Sequence, residues 1–233
     1  KIFFANPQLV ASEIVDHLHR KSITLNCFRN IKEAEKTADW AMIEGDRNKR
    51  GNLFGTHKVY GHIDKKVDYT SRFCFMWDES YFWFYIITEH CSPVFHRYIN
   101  DELLISDNSQ DFVRLFFDTG SRKRGKACAN ALIIKPKYNN QGRLDIYVHK
   151  NTCGNMGKLI MSDTEYDGCI SISEQGYFMR IGIKWEAIPL TPRVGGEYYV
   201  DVLVGTDELE VTWQNASYNG WYNIGEYGKI ILR

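Results

Sequence analysis

The chain has 233 residues, of which 29 are Lys or Arg and 29 are Asp or Glu, so its formal net charge is zero. A neutral chain has no overall field that draws it to nucleic acid or to an anionic membrane surface, and neither is expected as a partner. The longest apolar stretch, Tyr81–Ile87, is too short for a membrane-spanning helix, and the length suits one large β domain.

The first fifty residues differ in pattern from the rest. Apolar residues recur near helical spacing from Leu9 to Leu18, and Ile31–Met42 reads as a short amphipathic helix. We therefore predict a helical N-terminal extension over residues 1–50 that packs on the following domain. Residues 51–233 are predicted to form that domain.

From about Asn52 the chain alternates short strand patterns with turn residues. A hairpin is predicted from Thr70–Trp77 and Phe82–Glu89, with its turn at Asp78. Further strands are predicted at Phe112–Asp118, Ala131–Lys135, Leu144–His149, Gly168–Ser173, Tyr177–Ile183, Tyr198–Val204, Glu210–Gln214 and Gly228–Leu232. Aromatic residues make up 14% of the chain and favour strands. This pattern predicts a mainly β fold, an antiparallel, jelly-roll-like sandwich with a short helical N-terminal part.

Motifs of the common enzyme classes are missing from the sequence. It contains no Gly-x-Ser-x-Gly elbow, no phosphate-binding Gly loop and no His-Glu-x-x-His helix. The six cysteines include no Cys-x-x-Cys pair, which argues against zinc-ribbon and thioredoxin-like domains. A glycosidase needs two carboxylates across a cleft, and 29 acidic residues leave that question open.

Several segments occur in an order that resembles one known family. They are the aromatic hairpin Phe73–Ile86, the strand Gln110–Asp118, the segment Met179–Trp185 and the ending Trp221–Leu232. The hairpin is similar to the W-D-x-x-Y hairpin of family 9 carbohydrate-binding modules and their DOMON-like relatives. The strand resembles the Q-D-S-V-E-I-F-I-D strand of that family, and the other two resemble its closing segments.

The resemblance implies an exported, non-catalytic carbohydrate-binding domain, located outside the cell, on its surface or in the periplasm. Such a domain recognises a sugar by stacking on an aromatic ring and by hydrogen bonds from planar polar side chains. The family places a stacking Trp in the C-terminal region, which corresponds to Trp221 or Trp213. Tyr218, Asn219 and Asn223 add ligand-binding groups to this loop. The alternative for Trp221 is core packing.

Further candidate site residues lie on the predicted strands. Arg114 and Asp111 are three residues apart, so they point to opposite faces of one strand, and Glu89 ends the second hairpin strand. The alternative for Arg114 and for Asp111 is a salt bridge on the sheet surface. Arg114 stands where the family has Glu, and the Trp that the family carries just before its Q-D pair is missing.

Two other functions stay open at this point. One is haem binding by a DOMON-like domain, with four candidate axial ligands: Met76, Met161, Met179 and His90. The other is a protein-interaction module that has lost the sugar site. The resemblance also implies structural calcium, for which three stretches could supply oxygen ligands: Asp101-Glu102, Asp107-Asn108 and Asp163–Asp167.

Overall fold

The computed structural model describes residues 24–29, 41–45, 57–61, 69–89, 95, 110–118, 129–152, 155–174, 176–188, 190–205, 209–213 and 227–233. Its strands are β1 Thr24–Cys27, β2 Ala41–Gly45, β3 His57–Gly61, β4 Tyr69–Trp77, β5 Tyr81–Glu89, β6 Phe112–Asp118, β7 Ala129–Tyr138, β8 Leu144–Thr152, β9 Asn155–Ile160, β10 Tyr166–Ser173, β11 Gly176–Lys184, β12 Glu197–Gly205, β13 Leu209–Thr212 and β14 Gly228–Leu232. A single 3-10 turn, Trp185–Ala187, follows β11 within these ranges. None of the described segments is a helix long and apolar enough to cross a membrane.

The described strands form two sheets that pack face to face. The larger sheet has nine strands, with a main path β1-β14-β12-β6-β7-β8-β9 and with β13 and β3 branching from β12. The smaller sheet has five, in the order β10-β11-β5-β4-β2. Neighbours are antiparallel in both sheets, except that β1 runs parallel to β14. The predicted β-sandwich is confirmed.

Side chains of the smaller sheet alternate between the core and an outer face, because successive residues of a strand point in opposite directions. On β5, Phe82, Phe84 and Ile86 are fully buried in the core between the sheets. Trp83 and Tyr85, at the positions between them, belong to a separate cluster on the outer face. Both sides of this strand are therefore buried.

The larger sheet divides its side chains in the same way. On β6, Val113, Leu115 and Phe117 lie in the core between the sheets. Phe112 and Phe116 belong to a second cluster, on the outer face of the larger sheet. The charged residues of this strand and its neighbours fall on that outer face, as described below.

All ten predicted strands are present, eight of them with shifted ends. β6 and β14 begin and end where they were predicted, whereas β7 runs on at both ends of Ala131–Lys135. The predicted strand Glu210–Gln214 ends at Thr212, and residue 214 lies outside the described residues. Four strands were missed, β1, β2, β3 and β9, because they are short and carry no clear alternation of apolar and polar residues.

The helix predicted over Ile31–Met42 is wrong at its end. Ala41 and Met42 belong to β2, where they pair with Phe73 and Arg72 of β4. Pairing with a buried neighbouring strand outweighs the weak helix preference of two residues. The rest of that prediction, residues 31–40, and the earlier one over residues 9–18 lie outside the described part of the chain.

Strand β1 links the two sheets along one edge. It pairs with β14 of the larger sheet, and the next residue, Phe28, forms a bridge to Met76 of the smaller sheet. The backbone N–H of Trp77 donates to the Phe28 carbonyl over 3.1 Å, and the Trp77 indole donates to the Arg233 carbonyl over 3.0 Å. Two strands of the predicted extension, β1 and β2, are thus integral to the sandwich.

Asp78 organises the hairpin between β4 and β5. Its Oδ1 accepts hydrogen bonds from the backbone N–H groups of Ser80 and Tyr81, each over 2.7 Å. Its Oδ2 accepts from the indole of Trp83 over 2.8 Å, and its carbonyl accepts from the indole of Trp185 over 2.8 Å. The Asp78 side chain therefore fixes the turn and the ring of Trp83, and its backbone carbonyl holds the ring of Trp185.

Candidate functional site

The outer face of the larger sheet carries most of the buried charged side chains that the structure describes. Asp118, Lys135, Lys137, His149 and Asp201 are all at most 9% exposed. They occupy the strand positions between core residues on β6, β7, β8 and β12. Burial of charged groups is costly unless specific partners compensate for it. We therefore regard this face as the candidate functional site.

The pairing register places Arg114 at the centre of this face. Arg114 lies opposite Leu203 of β12 on one side and opposite Ile133 of β7 on the other. Ile133 in turn lies opposite His149 of β8. The row thus combines a guanidinium, an imidazole and two apolar side chains across four adjacent strands.

Phe112 lies between two cationic groups on the same face. The Cζ atom of Arg114 is 5.3 Å from the centroid of its ring, and the Nζ atom of Lys135 is 5.7 Å from it. These are cation–π distances, and they hold both cations near one ring. A Cβ atom at Gly205 would overlap the ring, so the missing side chain leaves room for the ring beside β12. Phe112 orients the cations and is itself fully buried.

The opposite end of the face is acidic and aromatic. The rings of Phe116 and Tyr227 are 6.1 Å apart between centroids, and Tyr227 is 1% exposed. Burial raises the pKa of Tyr227, and the carboxylates of Asp201 and Asp118 raise it further, so the phenol stays protonated at neutral pH. The face therefore runs from cations near the start of β6 to carboxylates near its end.

Trp213 is placed in the core. Its side chain is 4% exposed, and its ring meets Phe73 edge-on at 5.3 Å between centroids. Its backbone N–H donates to the Val202 carbonyl over 2.8 Å. A ring enclosed in this way has no free face for a sugar, so we assign Trp213 to packing. The other predicted residues of the C-terminal loop lie outside the described residues and stay predictions: Trp221, Tyr218, Asn219 and Asn223.

Asp111 and Arg114 are both brought to β6, but in different settings. Asp111 directly precedes the strand and is fully buried, so a surface salt bridge is wrong for it. Arg114 is half-buried on the outer face. Glu89 is separated from both, because it ends β5 on the outer face of the smaller sheet, where its carboxylate is 3.8 Å from Arg72. Glu89 and Arg114 therefore cannot line one rim.

Lys135, His149 and Asp201 were missed by the sequence reasoning. Each lies within or at the end of a predicted strand that is mostly apolar. On its own strand, each of the three occupies a position between the apolar core residues, as Arg114 does on β6. This alternation was the signal in the sequence. That signal becomes specific only when the pairing of the strands is known.

Three of the four candidate haem ligands lie within the described residues: Met161 and Met179 are in the core, and Met76 is on the outer face of the smaller sheet. The haem hypothesis stays a prediction. In the stretch Asp163–Asp167, Glu165 accepts hydrogen bonds from Ser162, and nowhere in the described ranges do three His, Cys, Asp or Glu side chains gather as metal ligands. Calcium binding by this stretch stays a prediction. His90 and the other two predicted stretches lie outside the described residues.

Tyr85, on the outer face of the smaller sheet, leads to a testable expectation. Its hydroxyl is buried and has no hydrogen-bond partner among the described residues. Burial raises the pKa of Tyr85 to about 12, against an ordinary value near 10. Between these two values the unfolded chain loses its proton before the folded chain does, so stability falls as the pH rises through this range.

Tyr85→Phe is expected to be neutral at pH 7, or to stabilise the fold by about 1 kcal/mol, because it removes an unsatisfied buried hydroxyl. It should also reduce the loss of stability between about pH 10 and 12. Urea unfolding at pH 7 and at alkaline pH measures both effects. A variant that is clearly less stable at pH 7 would show that the hydroxyl makes a favourable interaction.

Comparison with solved structures shows the class of fold. No protein-family model matches the chain. The sandwich superimposes on a family 9 carbohydrate-binding module from Caldicellulosiruptor kristjanssonii in complex with cellotriose, with a TM-score of 0.51, 14% identity, and coverage of 90% of this chain and 93% of that one. The same kind of module in complex with glucose gives a TM-score of 0.50 at 14% identity, covering 90% and 95%. The fold is therefore that of carbohydrate-binding modules.

Two further comparisons agree with this fold. A candidate carbohydrate-binding protein from Bacteroides uniformis superimposes with a TM-score of 0.58 at 9% identity, covering 91% of this chain and all of that one. In sequence, the chain is 24% identical over 180 residues to endo-1,4-beta-xylanase A of Thermotoga maritima. The match covers 74% of this chain but spans 14% of the xylanase. The resemblance to family 9 carbohydrate-binding modules is therefore confirmed at the level of the fold.

Proposed function

We propose that this chain is an exported, non-catalytic carbohydrate-binding domain that recognises a sugar end or a short oligosaccharide. The observation that carries this proposal is the position of Arg114, half-buried at the centre of a polar sheet face and stacked on Phe112. A guanidinium held in this way offers planar donors to sugar hydroxyls. The shared fold with modules bound to cellotriose and glucose supports the same ligand class.

The C-terminal segment can supply the stacking ring next to Arg114. Tyr227 anchors the end of this segment on the same face, beside Phe116, which is two residues from Arg114 on β6. Trp221 is six residues before Tyr227, so an extended chain lets it reach about 20 Å from that anchor. Phe116 and Arg114 are about 7 Å apart along the strand. This reach supports Trp221 as the sugar platform.

Lys135 and His149 complete the proposed site as supporting residues. Both side chains are 1% exposed, so they lie beneath the surface at which the half-buried Arg114 is accessible. Lys135 and Arg114 both lie over the ring of Phe112, so Lys135 and the ring together restrict the position of the guanidinium. In this proposal Arg114 and Trp221 contact the sugar, and the buried residues position Arg114.

The location of the site is tested by a pair of variants on opposite faces. Arg114→Ala is expected to weaken binding of cellotriose or another bound glycan by about 10–100-fold, roughly the value of one hydrogen bond from a charged group. Glu89→Ala should leave the affinity unchanged, because Glu89 lies on the other side of the sandwich. Titration calorimetry measures both, with circular dichroism to confirm folding. Equal losses in both variants, or none in Arg114→Ala, would contradict this location.

A further inference from the structure

Strand β10 forms an edge of the smaller sheet among the described strands. It pairs with β11 on one side, and six of its eight residues are exposed. Natural edge strands are usually protected by Lys, Pro or a bulge, which prevent pairing with another chain. The sequence Tyr-Asp-Gly-Cys-Ile-Ser-Ile-Ser contains neither Lys nor Pro, and its register with β11 is regular over all eight residues. Within the described part of the chain, no strand pairs with this outer edge of β10.

The hydrogen-bond pattern defines which groups of β10 face outward. The N–H of Lys184 donates to the carbonyl of Glu165 over 2.9 Å, so these two residues form a hydrogen-bonded pair of the β10–β11 ladder. Hydrogen-bonded pairs recur at every second residue of an antiparallel ladder. Cys169, opposite Arg180, therefore also bonds to β11. Gly168 and Ile170 then direct their N–H and C=O groups away from the sheet.

We infer that β10 pairs antiparallel with β10 of a second copy of this chain, with Cys169 on the two-fold axis. In this arrangement Gly168 of each copy lies opposite Ile170 of the other, and their outward N–H and C=O groups form the new hydrogen bonds. Cys169 faces the Cys169 of the second copy in a non-hydrogen-bonded position. The Cα atoms of such a pair are about 4.5 Å apart, within the range that a disulfide spans.

The remaining side chains of β10 are compatible with this register. Ile172, an apolar side chain that is 43% exposed, lies opposite Tyr166 of the second copy and is covered by it. Asp167, the one charged residue of β10, lies opposite Ser171 and is already balanced by Arg180 at 3.6 Å. No like charges oppose each other along the strand. Since the pairing uses one edge of each copy, it closes at a dimer.

The test is thiol cross-linking of the purified chain with oxidised glutathione. Two Cys169 thiols and one glutathione disulfide give one intermolecular disulfide and two reduced glutathione molecules. We expect a covalent dimer on non-reducing gels, with peptide mapping that joins residue 169 to residue 169. Cys169→Ser should eliminate this dimer. The combined variant Cys169→Ser with Ser171→Cys keeps an exposed thiol on the same face but places the two sulfurs about 13 Å apart, so it should form none.

A second measurement detects the contact without a disulfide. Under reducing conditions, sedimentation of the concentrated chain should show a weak dimer, since eight residues bury less than a standard interface. Ile172→Lys should remove that dimer, whereas Val194→Lys, at an apolar side chain that is 68% exposed in a turn, should not. A chain that stays monomeric and does not cross-link, a dimer that survives Cys169→Ser and Ile172→Lys, or assembly into larger species would each overturn this pairing. None of these outcomes depends on sugar binding.

Discussion

Replacing Asp78 by Ala is expected to lower the free energy of unfolding by about 2–4 kcal/mol. The carboxylate accepts three hydrogen bonds, from the N–H groups of Ser80 and Tyr81 and from the indole of Trp83. Hydrogen bonds to a charged group are each worth about 1.5–3 kcal/mol, and the exposed donor of Ser80 can turn to water instead. Urea unfolding at neutral pH measures the difference.

Two matched variants test whether the carboxylate of Asp78 is the cause of this loss of stability. Asp78→Asn can keep an oxygen that accepts from the backbone N–H groups of the turn, but its amide nitrogen cannot accept from the indole of Trp83. This variant should therefore lose about half as much stability as Asp78→Ala. Glu79→Ala changes the next residue of the same turn and removes its ion pair with Arg29. Both side chains of that pair are more than half exposed, so this variant should cost at most about 1 kcal/mol. An Asp78→Ala variant as stable as Glu79→Ala would mean that the turn does not depend on the carboxylate.

Trp221→Ala is expected to weaken glycan binding by at least about 30-fold, because an aromatic anchor at the centre of a contact contributes about 2 kcal/mol or more. Trp221→Phe keeps an aromatic face and should retain most of the affinity. The stability of both variants should stay close to that of the parent chain. Calorimetric titration and urea unfolding of the same samples separate the two roles. A large loss of stability with unchanged affinity would make Trp221 a core residue instead.

The predicted fold rested on local signals that the structure confirms. The aromatic hairpin of β4 and β5, the strand β6 and the turn at Asp78 were all predicted from the sequence. Strands β1 and β2 were not predictable in this way, because they are edge strands of four and five residues whose stability comes from pairing with β14 and β4. Tertiary pairing decides the conformation of such short segments.

The candidate site was less accessible from the sequence than the fold. Arg114 stood out because it departs from the family pattern, but Lys135 and His149 join it only through the pairing of β6, β7 and β8. Glu89 was grouped with Arg114 by its position at a strand end. In the structure Glu89 belongs to the smaller sheet and lies on the opposite side of the sandwich from Arg114. Distance along the sequence does not indicate which sheet a strand joins. In the sequence, Trp213 and Trp221 were equal candidates for the stacking ring. The burial of Trp213 in the structure identifies it as a packing residue.

The most direct test is a calorimetric titration of the folded chain with cellotriose and with glucose. Chromatography of the sugar after the titration then shows whether it is intact. The proposal predicts saturable binding of one sugar chain per protein molecule, with the sugar recovered unchanged. Binding should be weakened about 10–100-fold in Arg114→Ala and kept in Glu89→Ala. A folded protein that binds neither of these sugars nor any member of a broad glycan panel, or one that cleaves the sugar it binds, would contradict a non-catalytic carbohydrate-binding domain.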